Sequence, residues 1–223
     1  FMLPTAAAAE VGALLAERFG LPFWQTTLSA SDANRAVIRW ARAVTRKPVI
    51  VVFDGCYHGM VEDCFVELRH GRTRPDAGLI GQVFDMTRTT RAIPFNDLGA
   101  LEAALAQGDV AAVLAEPAMT NCGMILPEAN FWKRAQALAK KAGALLVLDE
   151  THTLSSGPGG ATKAWELQPD ALVVGKAIAG GFPAAVWGVS AALAEQIAAA
   201  PSAGGRSGIG TTLAGNAMGM AAI

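Results

Sequence analysis

At 223 residues, the chain is long enough to bury one large hydrophobic core, or two small ones, without disulfides or a structural metal. Its 52% hydrophobic and 17% charged residues are typical of a soluble globular protein. The formal net charge of −1 gives no electrostatic reason to expect nucleic acid or an anionic membrane as a partner, and we expect neither.

Two further features predict a cytoplasmic chain. The cysteines Cys56, Cys64 and Cys122 include no CxxC pair, which argues against a disulfide framework or a zinc ribbon. The uncharged stretch from Ala177 to Ala194 is about as long as a membrane helix, but its glycines and proline disfavour a continuous helix. We expect a buried loop and strand there, and residues 1–20 lack the pattern of a signal peptide.

In chain order, short apolar runs alternate with amphipathic segments. The predicted strands are Trp24–Leu28, Pro48–Phe53, Val110–Ala115, Ala144–Leu148, Ala171–Val174 and Ala184–Val189. The predicted helices are Thr5–Phe19, Asp32–Arg46, Leu98–Ala106, Asn130–Lys141 and Ala191–Ala200. Near-continuous apolar strands that alternate with helices indicate an α/β fold of the doubly wound type, with a mainly parallel sheet and helices on both of its faces.

The residues that directly follow each apolar run are candidates for a site, because ligands of such sheets bind beyond the carboxyl ends of the strands. Lys176 follows a strand and precedes a glycine-rich turn. It is either a lysine that reaches the surface or a Schiff-base lysine, whose amine a dry environment would activate. Asp149 either caps the next helix or faces a cationic ring nitrogen. Glu150 should point away from it, since neighbouring strand side chains alternate.

Three further segments could complete such a site. Ser29–Asn34 leads into the second helix, whose N-terminus suits a phosphate, although a simple N-cap explains the same residues. Tyr57, in Phe53–Gly59, could stack on a planar ring, although a core or rim aromatic is the ordinary explanation. Hydroxyls between the glycines of Gly210–Asn216 are consistent with a second phosphate contact. Together these residues supply the amine, carboxylate, aromatic plate and phosphate-binding turns that pyridoxal phosphate requires.

The order of these motifs resembles the class III aminotransferases, which are fold type I pyridoxal-phosphate enzymes, and within them the glutamate-1-semialdehyde aminomutase-like branch. The resemblance covers essentially all 223 residues. The matching segments are Ser29–Ala33, Gly55–Gly59, Glu116–Pro117, Asn121–Gly123, Asp149–Glu150, Gly175–Lys176 and Thr212.

The resemblance implies a role for each matching residue. Lys176 would carry the cofactor and Asp149 would bind its pyridine nitrogen, and these two are the expected catalytic residues. Tyr57 and Thr151 would lie on opposite faces of the ring, and His152 would lie near the phenol oxygen. The other cofactor-binding residues implied are Ser29, Ala30, Ser31, His58, Asn121 and Thr212, the last at the phosphate of a neighbouring subunit. No metal site is expected.

The resemblance also predicts an incomplete large domain. Residues 1–223 would be the pyridoxal-phosphate-binding domain of a homodimer, without an N-terminal segment and a C-terminal small domain. The expected reaction is amino transfer between a small-molecule amino donor and a carbonyl acceptor, and internal amino migration and racemisation remain open. The sequence departs from the family at Ala30, where glycine is usual, and at Ser155–Gly160, where the family's arginine is absent.

Other classes match less of the sequence. Asp149–His152 spells a DExH box, but the GxxxxGK[ST] loop of a helicase fails at Asp170 and Ala177. The early turns lack the GxGxxG of a dehydrogenase, and the three histidines are too widely separated in sequence for a zinc hydrolase. An inactive fragment or non-catalytic homologue stays open beside the enzyme.

Overall fold

A seven-stranded sheet forms the centre of the computed structural model, which describes residues 5–200 and 208–223. The helices are α1 (Ala6–Phe19), α2 (Ala30–Thr45), α3 (Leu98–Leu105), α4 (Phe131–Lys141), α5 (Gly160–Ala164), α6 (Ala191–Ala199) and α7 (Ala217–Ala222). The strands are β1 (Phe23–Thr27), β2 (Val49–Phe53), β3 (Val66–Arg69), β4 (Arg72–Pro75), β5 (Thr90–Ile93), β6 (Val110–Ala115), β7 (Leu145–Asp149), β8 (Ala171–Val174) and β9 (Ala185–Val189).

The sheet is mainly parallel, as predicted. Its strand order is β1-β9-β8-β7-β6-β2-β5, and every pair from β8 to β5 is parallel. Only β9 runs against its neighbours β8 and β1. The apolar pattern does not give the direction of β9, which depends on the connection before it. The short connection over residues 175–184 holds no crossover helix, so the chain returns antiparallel.

Helices cover both faces of the sheet, which explains why the strands are apolar throughout. In β2, Val49, Val51 and Phe53 pack in the cluster that includes residues of α1, α3 and α4. Ile50 and Val52 face the other side, where they pack with residues of α2 and α6. Because successive strand residues alternate between two buried faces, none of the five is more than 4% exposed.

All six predicted strands and all five predicted helices are present, with bounds that differ by at most two residues. The largest difference is at the start of α2, which begins at Ala30 instead of Asp32. Ser29 is its N-cap, because its hydroxyl accepts a hydrogen bond from the Asp32 amide at 3.2 Å.

The sequence interpretation missed the elements that are short or charged. The β3–β4 hairpin carries exposed arginines, and β5 is a four-residue edge strand with Arg91 in its middle. Arg91 is accommodated there because its guanidinium binds both carboxylate oxygens of Asp109, at 2.6 Å each. The short helices α5 and α7 were not predicted either.

The uncharged stretch that begins at Ala177 forms no long helix. It contains most of the 3₁₀ turn at Lys176–Ala179, the strand β9 and the first residues of α6. The strand is buried as predicted, whereas the loop before it, which was also predicted to be buried, is largely exposed. Across residues 5–200 and 208–223, the helices are too short or too polar to cross a membrane.

Candidate functional site

A pocket of about 680 Å³ opens at the edge of the sheet where β1, β2, β7 and β8 end and β9 begins. This is the edge at which the topology predicts ligand binding. Eight of the predicted site residues line it: Ser29, Ala30, Ser31, Tyr57, His58, Asp149, Thr151 and Lys176.

Asp149 lies at the bottom of the pocket and is only 3% exposed. Its Oδ2 accepts hydrogen bonds from Asn34 Nδ2 at 2.8 Å and from His58 Nδ1 at 2.9 Å. Its Oδ1 accepts one from the Thr151 amide at 3.0 Å. Burial alone raises the pKa of Asp149, but the hydrogen bond and charge of His58, with the other donors, lower the pKa below its ordinary value. Asp149 is therefore a carboxylate at neutral pH, able to receive a cationic N–H.

Glu150 points away from the pocket, as the alternation of strand side chains predicts. Its carboxylate is fully buried and accepts hydrogen bonds from the hydroxyl of Thr153 and from the amides of Ala161 and Thr162. The two acidic residues therefore have separate tasks, since Asp149 faces the pocket and Glu150 anchors the segment that follows β7.

His58 forms a buried ion pair with Asp149. Burial lowers the pKa of His58, but Cys56 and the hydrogen bond and charge of Asp149 outweigh burial and raise the pKa well above its ordinary value. The pKa of this histidine is therefore higher in the folded chain than in the unfolded chain, where it is about 6.5. Its contribution to stability is complete below about pH 6.5 and is lost as the pH rises through the folded-state pKa. The lowered pKa of Asp149 acts in the other direction, since its contribution is lost as the pH falls below about 4.

We therefore expect the free energy of unfolding to be greatest between about pH 4 and pH 6.5 and to fall at higher pH. In His58→Asn, an amide that does not titrate can still donate to Asp149, so the alkaline fall should disappear. Urea unfolding of both proteins from pH 5 to pH 9 measures this. Parallel curves for the two proteins would show that His58 is neutral in the folded chain.

The first turn of α2 forms one side of the pocket. The amides of Ala30 and Ser31 are among the first in the helix and have no acceptor within it, so they can bind an anion with the help of the helix dipole. The side-chain hydroxyls of Ser29 and Ser31 already have partners within the protein. Ser29 donates to Asp32 at 2.8 Å, and Ser31 accepts from the Met60 amide at 2.9 Å.

Gly59 allows the loop after β2 to lie close to Ser31, because a Cβ there would lie 2.2 Å from Ser31 Oγ. With φ near +82°, position 59 also has a backbone conformation that favours glycine.

Lys176 follows β8 after Gly175 and is held in the left-handed region, with φ of 47°. For a residue other than glycine this costs on the order of 1 kcal/mol, and such outliers are frequent at functional sites. Gly175 allows the chain to pass close to α2, since a Cβ there would lie 2.9 Å from the Ala30 Cβ. Among the described residues, Lys176 is exposed and lines the pocket, so its assignment as a Schiff-base lysine stays a prediction.

Tyr57 and Thr151 both line the pocket. The Tyr57 ring is 51% exposed, and the backbone amide of Tyr57 donates to the buried carboxylate of Glu116 at 3.2 Å. Thr151 has its hydroxyl buried without a partner among the described residues. A planar ligand with polar substituents would cover the tyrosine and supply the missing partner of the threonine.

Three predicted residues lie outside the pocket. His152 is exposed and its Nδ1 contacts the Thr120 hydroxyl at 2.5 Å; its contact with a phenol oxygen stays a prediction. Asn121 is exposed in the loop after β6. Thr212 lines a separate cavity of about 730 Å³ beside α1 and β1. For Asn121 and Thr212, cofactor binding stays a prediction.

Sequence reasoning included Asn34 in the candidate segment Ser29–Asn34 but gave its side chain no role of its own. Asn34 is 0% exposed and binds Asp149 from behind the pocket lining. A signal was available, because Asn34 is a polar residue at the end of that segment, on the side of α2 that carries the apolar stripe. A polar residue in that position needs hydrogen-bond partners inside the protein.

The sequence matches the family described as "Aminotransferase class-III" over residues 4–223. A glutamate-1-semialdehyde 2,1-aminomutase of Gemmatimonas aurantiaca is 36% identical over 227 aligned residues, covering 100% of this chain and 51% of the relative. One from Thermomicrobium roseum is 40% identical, covering 76% of this chain and 40% of the relative. The chain spans about half the length of these curated relatives, or less.

Solved structures show the same fold over the whole chain. A crystal structure of a glutamate-1-semialdehyde-aminomutase from Pseudomonas aeruginosa PAO1 is 50% identical, with a TM-score of 0.95, and the match covers 100% of this chain and 51% of that one. A lysine-to-alanine variant from the same organism, in complex with PMP, also has a TM-score of 0.95. An omega-transaminase from Sphaerobacter thermophilus is 29% identical, with a TM-score of 0.87, over 100% of this chain and 53% of that one. The chain belongs to the class III aminotransferase family and has the fold of its type I pyridoxal-phosphate enzymes.

Proposed function

We propose that the chain is the cofactor-binding part of a pyridoxal-phosphate enzyme that acts as a glutamate-1-semialdehyde 2,1-aminomutase. The observation that carries the proposal is one pocket that holds the Lys176 amine, the Asp149 carboxylate and the first amides of α2. The relatives with this activity in their names support the aminomutase over a general aminotransferase.

The residues of the pocket fit pyridoxal phosphate by their chemistry. The first turn of α2 offers amides to a phosphate, and the ionised Asp149 offers an acceptor to a protonated ring nitrogen. The buried hydroxyl of Thr151 and the Nε2 of His58 both lack a partner among the described residues. A ligand with a ring and polar substituents would supply groups that this pocket leaves unpaired.

When bound, pyridoxal phosphate supplies a ring that accepts electrons from a neighbouring C–H bond. Asp149 would keep the ring nitrogen protonated, and a protonated ring accepts electrons more readily. Lys176 would bind the cofactor covalently through Nζ and, once displaced by the substrate amine, would move a proton at the reacting carbon. The first turn of α2 would fix the phosphate, and Tyr57 would orient the ring by contact with its face.

Amino transfer between two molecules is the second candidate. It is favoured by the likeness to the omega-transaminase, which covers the whole chain at 29% identity. The same lysine, carboxylate and phosphate turn would serve both reactions. The difference is whether the amino group returns to the same carbon skeleton or leaves with a different product.

An assay on the longest reading frame that contains this chain distinguishes the two. Given glutamate-1-semialdehyde alone, an aminomutase should yield the isomer with the amino group moved from carbon 2 to carbon 1. Given an amino donor and a carbonyl acceptor, an aminotransferase should yield a new pair. Efficient transfer together with absent isomerisation would refute the aminomutase.

We also propose that the working enzyme is a homodimer in which Thr212 completes the partner's phosphate site. Thr212 lies in a cavity separate from the Lys176 pocket of its own chain, which is consistent with a contact in trans. Because the chain spans about half the length of its curated relatives, residues 1–223 alone should bind the cofactor weakly and show no measurable turnover. Purifying this segment and the longer form and assaying both would measure the difference. Robust turnover that depends on Lys176 in the segment alone would contradict it.

A further inference from the structure

We propose that Asn34 is a positioning residue that fixes the Asp149 carboxylate, so that a single acceptor position on Oδ1 remains for the ring nitrogen. The inference rests on the proposed cofactor site and adds a residue to it. Asn34 is fully buried in α2 and would touch neither cofactor nor substrate, so it would act through Asp149.

The Asn34 carboxamide bridges two parts of the site. Its Nδ2 donates to Asp149 Oδ2 at 2.8 Å and to the His58 carbonyl at 3.1 Å. This orientation is the only favourable one, because the reversed amide would place its oxygen against these two acceptors. Asn34 Oδ1 has no partner among the described residues. Both N–H groups of the side chain are therefore paired, and its oxygen is left unpaired.

Asp149 has one acceptor position left. A carboxylate offers about four lone-pair positions, two on each oxygen. On Oδ2, Asn34 and His58 fill both, and on Oδ1 the Thr151 amide fills one. The remaining position is on Oδ1, in a residue that lines the pocket. Rotation of the carboxylate would break the bonds to both Asn34 and His58, so its direction is fixed before any ligand binds.

The position of Asn34 in α2 couples this carboxylate to the phosphate turn. Ala30 and Ser31 offer their amides in the first turn of the helix, and Asn34 follows one turn later. One rigid helix thus sets both the anion-binding amides and the direction of Asp149. The two ends of a pyridoxal phosphate would be aligned by the same element.

The test compares two ligands that differ only at the ring nitrogen. Pyridoxal phosphate can donate an N–H to Asp149, whereas its carbocyclic analogue, with C–H in place of the nitrogen, cannot. The dissociation constants of both are measured for wild type, Asn34→Ala and Asn34→Leu in the longest reading frame that contains the chain. Asn34→Leu has nearly the same size, and it removes both N–H donors without adding a titratable group.

We expect wild type to bind pyridoxal phosphate more tightly than the analogue. In both variants the ratio of the two dissociation constants should fall by about tenfold or more. Thr90→Val is the matched control, since it removes a buried hydroxyl hydrogen bond in β5, three strands from β7, and should keep the preference. A merely structural role for Asn34 would weaken both ligands equally and leave the ratio unchanged, which would overturn the inference.

The same measurements distinguish a wrong role for Asn34 from a wrong cofactor site. If wild type binds pyridoxal phosphate but does not prefer it to the analogue, the positioning role is wrong and the cofactor site stands. If wild type binds neither ligand and no lysine is labelled after reduction, the site itself is wrong, and the role of Asn34 is refuted with it.

Discussion

Lys176→Ala should abolish turnover in the longest reading frame that contains this chain. Loss of proton transfer alone lowers rates by about 10²–10⁴-fold, and loss of the covalent bond to the cofactor adds to that. Lys176 is the one lysine among the residues that line the pocket, so no other amine of that pocket can take its place. Steady-state rates of isomerisation and of amino transfer measure the effect.

Lys133→Ala is the control for Lys176→Ala, because Lys133 is exposed on α4 and is not among the pocket's lining residues. It should retain wild-type rates. A small primary amine added to Lys176→Ala should restore part of the activity if the missing group is a proton carrier. Turnover of Lys176→Ala within tenfold of wild type would refute the catalytic assignment.

Asp149→Asn should retain cofactor yet lose several orders of magnitude in rate. The amides of α2 remain to bind the phosphate, but a neutral amide no longer stabilises a protonated ring nitrogen. Each 1.4 kcal/mol of lost transition-state stabilisation lowers the rate about tenfold. Rates and the absorption spectrum of the bound cofactor, recorded on the same preparation, separate loss of chemistry from loss of cofactor.

Asp149→Glu keeps the charge but moves it by one methylene, so it should recover part of the rate that Asp149→Asn loses. The pKa of His58 is a second readout. Asp149→Asn should lower it, because the variant removes the carboxylate that, together with Cys56, raises the pKa of this histidine. Turnover of Asp149→Asn close to wild type would contradict the role of Asp149 at the ring nitrogen.

Most of the fold follows from the apolar runs, because a strand buried on both faces must be apolar at nearly every position. That rule finds β2, β6, β7 and β8, and their ends then locate Asp149 and Lys176. It fails for β5, where Arg91 is paired with Asp109 and therefore tolerated in a strand. The β3–β4 hairpin escapes for the same reason, since its exposed charged residues leave no apolar run.

Backbone topology is enough to predict that a residue at a strand end reaches the pocket, whereas contacts that depend on side-chain packing cannot be predicted from the sequence. Thr151 is a neighbour of Asp149 in sequence and reaches the pocket, whereas His152, one residue further, turns towards Thr120. Asn34 and Asp149, in contrast, are distant in sequence but in contact. Their hydrogen bond spans 115 residues of sequence, and only the packing of α2 against the sheet brings them together.

The most direct test of the central assignment is to locate the cofactor on the chain. The protein, expressed from the longest reading frame that contains this sequence, is incubated with pyridoxal phosphate, reduced with borohydride and digested, and the labelled peptide is identified by mass spectrometry. We predict a single stable label on Lys176, which Lys176→Ala lacks and Lys133→Ala retains. A label on any other lysine, or none on a protein that is shown to be folded, would contradict the assignment.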